Sequence, residues 1–189
     1  MELLLTLILA HLFADFPLQT NLIARLKAQH ISGILLHVII YVTATALLLD
    51  QPVTYWPLLL ALGIAHFTID ALKTTIFANR AAICTFFGDQ CLHLVSMIIV
   101  TAVAHGLWAS VPQGILPPSL LRLTLSAALL PAGMVCCWIW TINSPEESIN
   151  QSIWLYWIRE QMLTVEQRFG LTLMGVLFLV LATQKFALV

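Results

Sequence analysis

The sequence predicts an all-α, polytopic membrane bundle of about six transmembrane helices with one interfacial amphipathic helix. Three observations carry that expectation. The 189-residue chain is 60% hydrophobic and only 9% charged, where soluble domains carry about 25% charged residues. Its mean hydropathy is +0.95. Its apolar residues gather into six stretches, at roughly 2–19, 31–49, 55–72, 89–109, 119–141 and 169–187, near the ~20 residues that cross a bilayer. The length suits a single membrane domain, with 1–110 as a four-helix part and 111–189 as two further spans.

The first stretch is short and imitates a signal peptide. It has no basic leader, because Glu2 follows Met1, and no small-x-small cleavage site precedes Asp15, so it reads as an uncleaved first span. The second stretch ends at Asp50-Gln51-Pro52, and the fourth at Pro112-Gln113-Gly114; Pro117-Pro118 precedes the fifth. Each is ordinary turn punctuation. Ser144-Pro145-Glu146-Glu147 reads as a capping box, with Ser144 as N-cap, Pro145 at N1 and Glu147 at N3. The helix it opens, about 145–168, sets Ile149, Ile153, Trp154, Tyr156, Trp157 and Ile158 beside Arg159, Glu160 and Glu166. That mixture suits a helix in the membrane interface, either packed over the bundle or docking a protein partner.

Basic residues set the orientation. Arg25, Lys27, Lys73, Arg80, Arg159 and Arg168 all fall in alternate connections, six of the eight Lys and Arg residues, while only Arg122 and Lys185 fall elsewhere. That side is expected to be cytoplasmic, with both termini outside. A formal net charge of -1 and the absence of a basic run exclude an electrostatic case for nucleic acid. Cys84, Cys91, Cys136 and Cys137 show no CxxC spacing, which argues against a zinc ribbon or a disulfide framework.

The chemistry sits in three short motifs: His11-x-x-x-Asp15, His66-x-x-x-Asp70 and Asp89-x-x-x-His93. Residues four apart lie on one helix face, so each pair points at one place. The orientation above, made without the motifs, puts all three pairs in the cytoplasmic half, with His37 near the start of the second span. His30 and His105 read as packing residues. An Asp at the bilayer centre costs about 2.5–3.5 kcal/mol, so several carboxylates at one depth call for a neutralising partner. Metal ions, a proton or ion path, and interhelical hydrogen bonds worth about 1 kcal/mol each are the three readings. Imidazole with carboxylate and no thiolate suits zinc, with manganese or iron(II) as alternatives. His11, Asp15, His37, His66, Asp70, Asp89 and His93 exceed the needs of one tetrahedral zinc, which makes two ions plausible. Gln19, Lys73 and Gln90 are candidate substrate-binding neighbours; Lys73 could equally pair with a carboxylate.

His11-Leu-Phe-Ala-Asp15-Phe-Pro-Leu-Gln19-Thr20, His37, His66-Phe-Thr-Ile-Asp70-Ala-Leu-Lys73 and Asp89-Gln90-Cys-Leu-His93 resemble the bacterial membrane family "domain of unknown function 3307" over roughly residues 8–95. The resemblance implies a multi-pass protein of the bacterial inner membrane and supports the residue set, without implying a reaction. A looser similarity, resting on ligand chemistry alone, is to membrane-bound metal-dependent hydrolases. The leading expectation is a metal-dependent hydrolase acting on a membrane lipid or an amphipathic phosphate or ester at the cytoplasmic interface, with Asp15 or Asp89 as general base. A metal-ion or proton transporter and a non-catalytic, metal-stabilised subunit are the alternatives.

Overall fold

The computed structural model describes residues 1–76 and 82–186. Arg80 and the side chain of Lys185 lie outside the described residues. The described chain is helical, in the order α1 (Glu2–Asp15), α2 (Asn21–Gln29), α3 (Ile31–Leu48), α4 (Trp56–Ile76), α5 (Ala82–Leu107), α6 (Pro118–Ile142), α7 (Glu146–Gln151) and α8 (Ile153–Phe186). Five helices are long and apolar enough to cross a membrane: Ile31–Leu48, Trp56–Thr74, Ala82–Leu107, Pro118–Ile142 and Ile153–Thr183.

The expected first span, 2–19, is a different object. Pro17 cannot continue a helix and disfavours helical geometry at Phe16, so α1 stops at Asp15 after 14 residues. At about 1.5 Å per residue it is about 21 Å long, short of the ~30 Å hydrocarbon core. It is also buried nearly throughout, from Leu3 through Leu7, Leu9 and Ala10 to Ala14 and Asp15. Helix α1 is therefore the central post of the bundle, packed against α3, α5 and α6. Ala10 and Ala14, both fully buried, let its neighbours approach closely, as small residues do between membrane helices.

One end of the bundle is tied by backbone. Leu49 and Gly114 form an isolated antiparallel bridge, supported by Asp50 N–H to the Gln113 carbonyl and Ile115 N–H to the Leu48 carbonyl, both 2.9 Å. Gln51, with φ 56°, makes the turn. The other end is closed by α2. Thr20 caps it by accepting from the Ile23 N–H at 3.4 Å, and one extended residue, His30 (φ -139°, ψ 139°), separates it from α3. The return is tight at Gly33, where an added Cβ would overlap the Leu26 carbonyl and the Lys27 nitrogen. That contact holds α2 against the bundle end.

The capping-box expectation is corrected. Ser144 donates its hydroxyl to the Trp140 carbonyl at 3.0 Å, and Pro145 is the N-cap of α7 without a side-chain cap. The separate interfacial helix at about 145–168 is corrected with it. Helix α7 has only 6 residues, and everything from Ile153 belongs to the 34-residue α8. Nothing in 153–169 breaks a helix, so it runs on into the last apolar stretch. Its length of about 51 Å exceeds a ~30 Å core; the excess carries exposed Ile153, Trp154, Tyr156 and Trp157.

Gly33→Ala must push α2 off α3, so it is expected to cost about 1–3 kcal/mol, read as lowered thermal stability in detergent. Gly133→Ala is the control, because its new Cβ meets nothing within 4 Å, and it should match or exceed wild type. Equal stability of the two variants would remove the close α2–α3 packing from this account.

Candidate metal centre

The i, i+4 pairs land where their helices converge. His11 and Asp15 come from the last turn and a half of α1, His66 and Asp70 from the later part of α4, Asp89 and His93 from the first half of α5, and His37 from α3. All seven are buried; His37 and Asp70 are 0% exposed. Around Asp15 Oδ1 lie His37 Nε2 at 3.1 Å, His11 Nδ1 at 3.7 Å and His66 Nε2 at 3.7 Å. Asp70 Oδ2 lies 3.5 Å from His66 Nε2 and 3.9 Å from His37 Nε2. His93 Nε2 sits 3.5 Å from Asp89 Oδ1 and 3.8 Å from Asp70 Oδ1. The rings of His66 and His93 have centroids 4.1 Å apart, and those of His11 and His93 4.7 Å. The sequence-derived set is thus one cluster, and His37 belongs to it.

Hydrogen bonding fixes which imidazole atoms face inward. Gln90 donates its amide to Asp15 Oδ2 at 3.2 Å. A carboxylate only accepts, so the Gln90 NH₂ must face Asp15 and its Oε1 must face His11. That oxygen lies 3.2 Å from His11 Nε2, which makes Nε2 the protonated nitrogen and leaves Nδ1 with its lone pair. By the same logic His37 donates from Nε2 to Asp15 at 3.1 Å. His11 Nδ1, His37 Nδ1, His66 Nε2, His93 Nε2 and Asp89 Oδ1 are buried and have no hydrogen-bond partner among the described residues. Buried polar atoms are paired in the large majority of cases, so this concentration of unpartnered nitrogen and oxygen atoms is the unusual feature of the molecule.

Among the described residues, three groups each have donor atoms that all lie within 4.8 Å of one another: His11, His66 and His93; Asp15, His37 and His66; Asp15, Asp89 and His93. Each two of these groups share one residue, which makes the whole a continuous donor field rather than separate sites. The donor set is nitrogen and oxygen only, with three carboxylates, and so it fits a zinc-like divalent ion.

Two lysines flank the carboxylates. Lys27 Nζ lies 2.8 Å from Asp70 Oδ1 and donates to Gln19 Oε1 at 3.2 Å. Burial alone would pull the Lys27 ammonium down, but Asp15 and Asp70 outweigh it and hold its pKa above the usual lysine value. Lys73 donates to Asp89 Oδ2 at 2.6 Å with its side chain 30% exposed. Gln19, Lys73 and Gln90 are therefore engaged with site residues, Gln90 as the bridge between His11 and Asp15. His30 is exposed and caps a helix end. His105 is exposed and bonds the Thr101 carbonyl at 2.8 Å, outside the cluster.

A cavity of about 250 Å³ opens beside the cluster, lined by Asp15, Gln19, Lys27, Lys73, Asp89 and Gln90, with Trp138 and Glu166 on its far wall. Sequence reasoning missed four residues at the cluster or its cavity: Lys27, Tyr41, Trp138 and Glu166. Tyr41 stacks on His66, with centroids 4.4 Å apart and planes 23° apart; it follows His37 by one helical turn, a legible signal. Lys27 depends on how α2 folds back at Gly33, and no local pattern announces that. Trp138 and Glu166 come from α6 and α8, so the C-terminal spans also wall the site. Glu166 is buried, and its Oε1 has no hydrogen-bond partner among the described residues.

Removing Lys27 strands the Asp70 carboxylate. Lys27→Met is expected to destabilise by about 3–5 kcal/mol, the cost of breaking a buried pair, and Lys27→Met/Asp70→Asn should recover most of it. Thermal unfolding of the two variants beside wild type measures this. An unimpaired Lys27→Met would show that the ammonium does not neutralise Asp70.

Comparison with known proteins adds one positive finding. No curated protein and no solved structure matches the chain. A family model described as "Protein of unknown function (DUF3307)" matches residues 3–117, covering α1 to α5 and every member of the His/Asp cluster. The chain therefore belongs to that family of proteins of unknown function.

Proposed function

We propose that this chain is a membrane-embedded, metal-dependent hydrolase that acts on a phosphate or ester of a lipid or other amphipath at the cytoplasmic face of a bacterial inner membrane. The observation that carries the reading is the set of buried nitrogen and oxygen atoms of His11, His66, His93 and Asp89 that have no hydrogen-bond partner among the described residues, beside a polar cavity with two lysines. His11, His66 and His93 with Asp15, Asp70 and Asp89 would hold one or two ions, zinc first, and His37 would orient Asp15 or join the ligands. A bound ion supplies a water of lowered pKa, toward ~7, and polarises the scissile group.

The chain's own groups do the rest. Lys27 and Lys73 offer ammonium donors to an anionic oxygen at the cavity. Whichever of Asp15 and Asp89 does not ligate an ion would accept the proton of the attacking water. Glu166, which lines the same cavity and whose Oε1 has no hydrogen-bond partner among the described residues, would hand a proton to a leaving oxygen. Beyond the cluster the core is closed by Leu7, Leu58, Leu62, Met97 and Ala104, which favours chemistry at one face over passage through the bundle. Trp154, Tyr156 and Trp157 stand exposed at the start of α8, on the helix that also brings Glu166 to the cavity; aromatic residues favour head-group depth. That exposed turn is also the surface for a protein partner, if one docks.

Metal analysis of protein purified without chelators is expected to find stoichiometric transition metal. Asp70→Asn should accumulate, lose that metal, and lose at least a hundredfold in hydrolysis of phosphatidate or acyl esters in mixed micelles. Wild-type protein free of metal, or an Asp70→Asn variant with normal metal and activity, would overturn the assignment.

A further inference from the structure

Beside the polar cavity lies a second hollow of very different character. It has a volume of about 410 Å³ and runs between α4 and α5, lined by Ile69, Cys84, Gly88, Cys91, Leu92 and Val95. Cys84, Gly88, Cys91, Leu92 and Val95 follow one face of α5 at helical spacing. Cys84, Gly88, Cys91, Leu92 and Val95 are exposed, so the hollow opens sideways from the bundle. Two residues line both hollows: Lys73 and Asp89. The ammonium and carboxylate pair, 2.6 Å apart, stands at the junction where polar space meets apolar space.

We propose that the two hollows are the halves of one binding site, and that its ligand is a membrane lipid with an anionic phosphate head. The head group sits in the cavity against Lys27 and Lys73, and one hydrocarbon chain lies in the α4–α5 groove. Charge selects the head through the ions of the proposed centre: Lys27 and Lys73 line the cavity together with Asp15, Asp89 and Glu166, so the side chains alone leave it negative, and divalent ions held by the cluster turn it toward a phosphate monoester, with the two ammonium groups as its donors. Shape and polarity select the chain, because among the described residues the groove carries no charged group apart from the junction pair. Its lateral opening lets a lipid enter from the bilayer without leaving it. This assignment rests on the reading that the polar cavity receives a phosphate or ester head group, and it narrows that reading to a chain-bearing phosphate.

Gly88 makes the assignment testable. A Cβ added there meets nothing within 4 Å, so Gly88→Leu has room at its root and puts its side chain into the groove that Gly88 lines. Binding is measured without turnover, on full-length protein in phosphatidylcholine nanodiscs, with dioleoyl phosphatidate and with water-soluble glycerol phosphate as probes. A maleimide supplies a second readout, since Cys84 and Cys91 line the groove and Cys137, exposed on α6, serves as the reference. Wild type is expected to bind phosphatidate more tightly than glycerol phosphate, with Cys84 and Cys91 protected. Gly88→Leu should weaken phosphatidate about tenfold or more, because the leucine takes the space of the hydrocarbon chain and overpacking is unfavourable, and should leave glycerol phosphate and metal content unchanged. Undiminished phosphatidate binding in Gly88→Leu, or equal protection by phosphatidylcholine alone, would overturn the groove assignment and leave the head-group reading standing. Equal loss of both probes would place Gly88 at the head group and also overturn it. Failure of wild type to bind either phosphate would overturn both readings.

Discussion

Three carboxylates meet in the apolar interior of this bundle, and the rest of the architecture follows from neutralising them. Asp15, Asp70 and Asp89 belong to three different helices, and none could be buried alone at a tolerable cost. Lys27 and Lys73 each neutralise one, at 2.8 Å and 2.6 Å. The third has only neutral donors, Gln90 and His37, and four imidazoles surround the group. With neutral imidazoles, three carboxylates and two ammonium groups leave one negative charge. In that state the cluster can take up further positive charge, and its unpartnered imidazole nitrogens are the means of accepting it.

That requirement explains the odd shape of the N-terminal half. Helix α1 is too short to span, yet it is the most deeply buried element, because its last turns must deliver His11 and Asp15 to the point where α3, α4 and α5 converge. Helix α2 is polar and amphipathic in a chain with few polar residues. It is folded back at His30 and pressed onto α3 at Gly33, which brings Lys27 over Asp70. Pro17, which ends α1, also packs against Gly170 of α8, where an added Cβ would overlap it. The helix that carries Glu166 is thereby seated against the same corner.

The site is asymmetric in polarity as well as in position. Toward the tied end of the bundle it is sealed by Leu7, Leu58, Leu62 and Met97. Toward the other end it opens into a polar cavity, and sideways, past Lys73 and Asp89, into an apolar groove. A ligand that is charged at one end and greasy along its length matches this arrangement. A small hydrated ion in transit does not, because the sealed side offers it no replacement for its water.

Composition and spacing alone determined the all-helical membrane character and the membership of the His/Asp cluster. The i, i+4 rule is local: it places two side chains on one face whatever the helix packs against, so the three pairs were legible before any fold was known. Helix lengths were less legible. Hydropathy does not register that Pro17 cuts the first stretch to 14 residues, or that nothing between Ile153 and Phe186 breaks α8 into two. Only the tertiary structure decided the partners. Lys27, Tyr41, Trp138 and Glu166 reach the site through the fold-back of α2 and the packing of α6 and α8, and Gln90 became a bridge because α5 sets it between His11 and Asp15. Such contacts join residues far apart in the chain, and their geometry depends on close approaches, at Gly33 and Gly170, that no periodicity encodes.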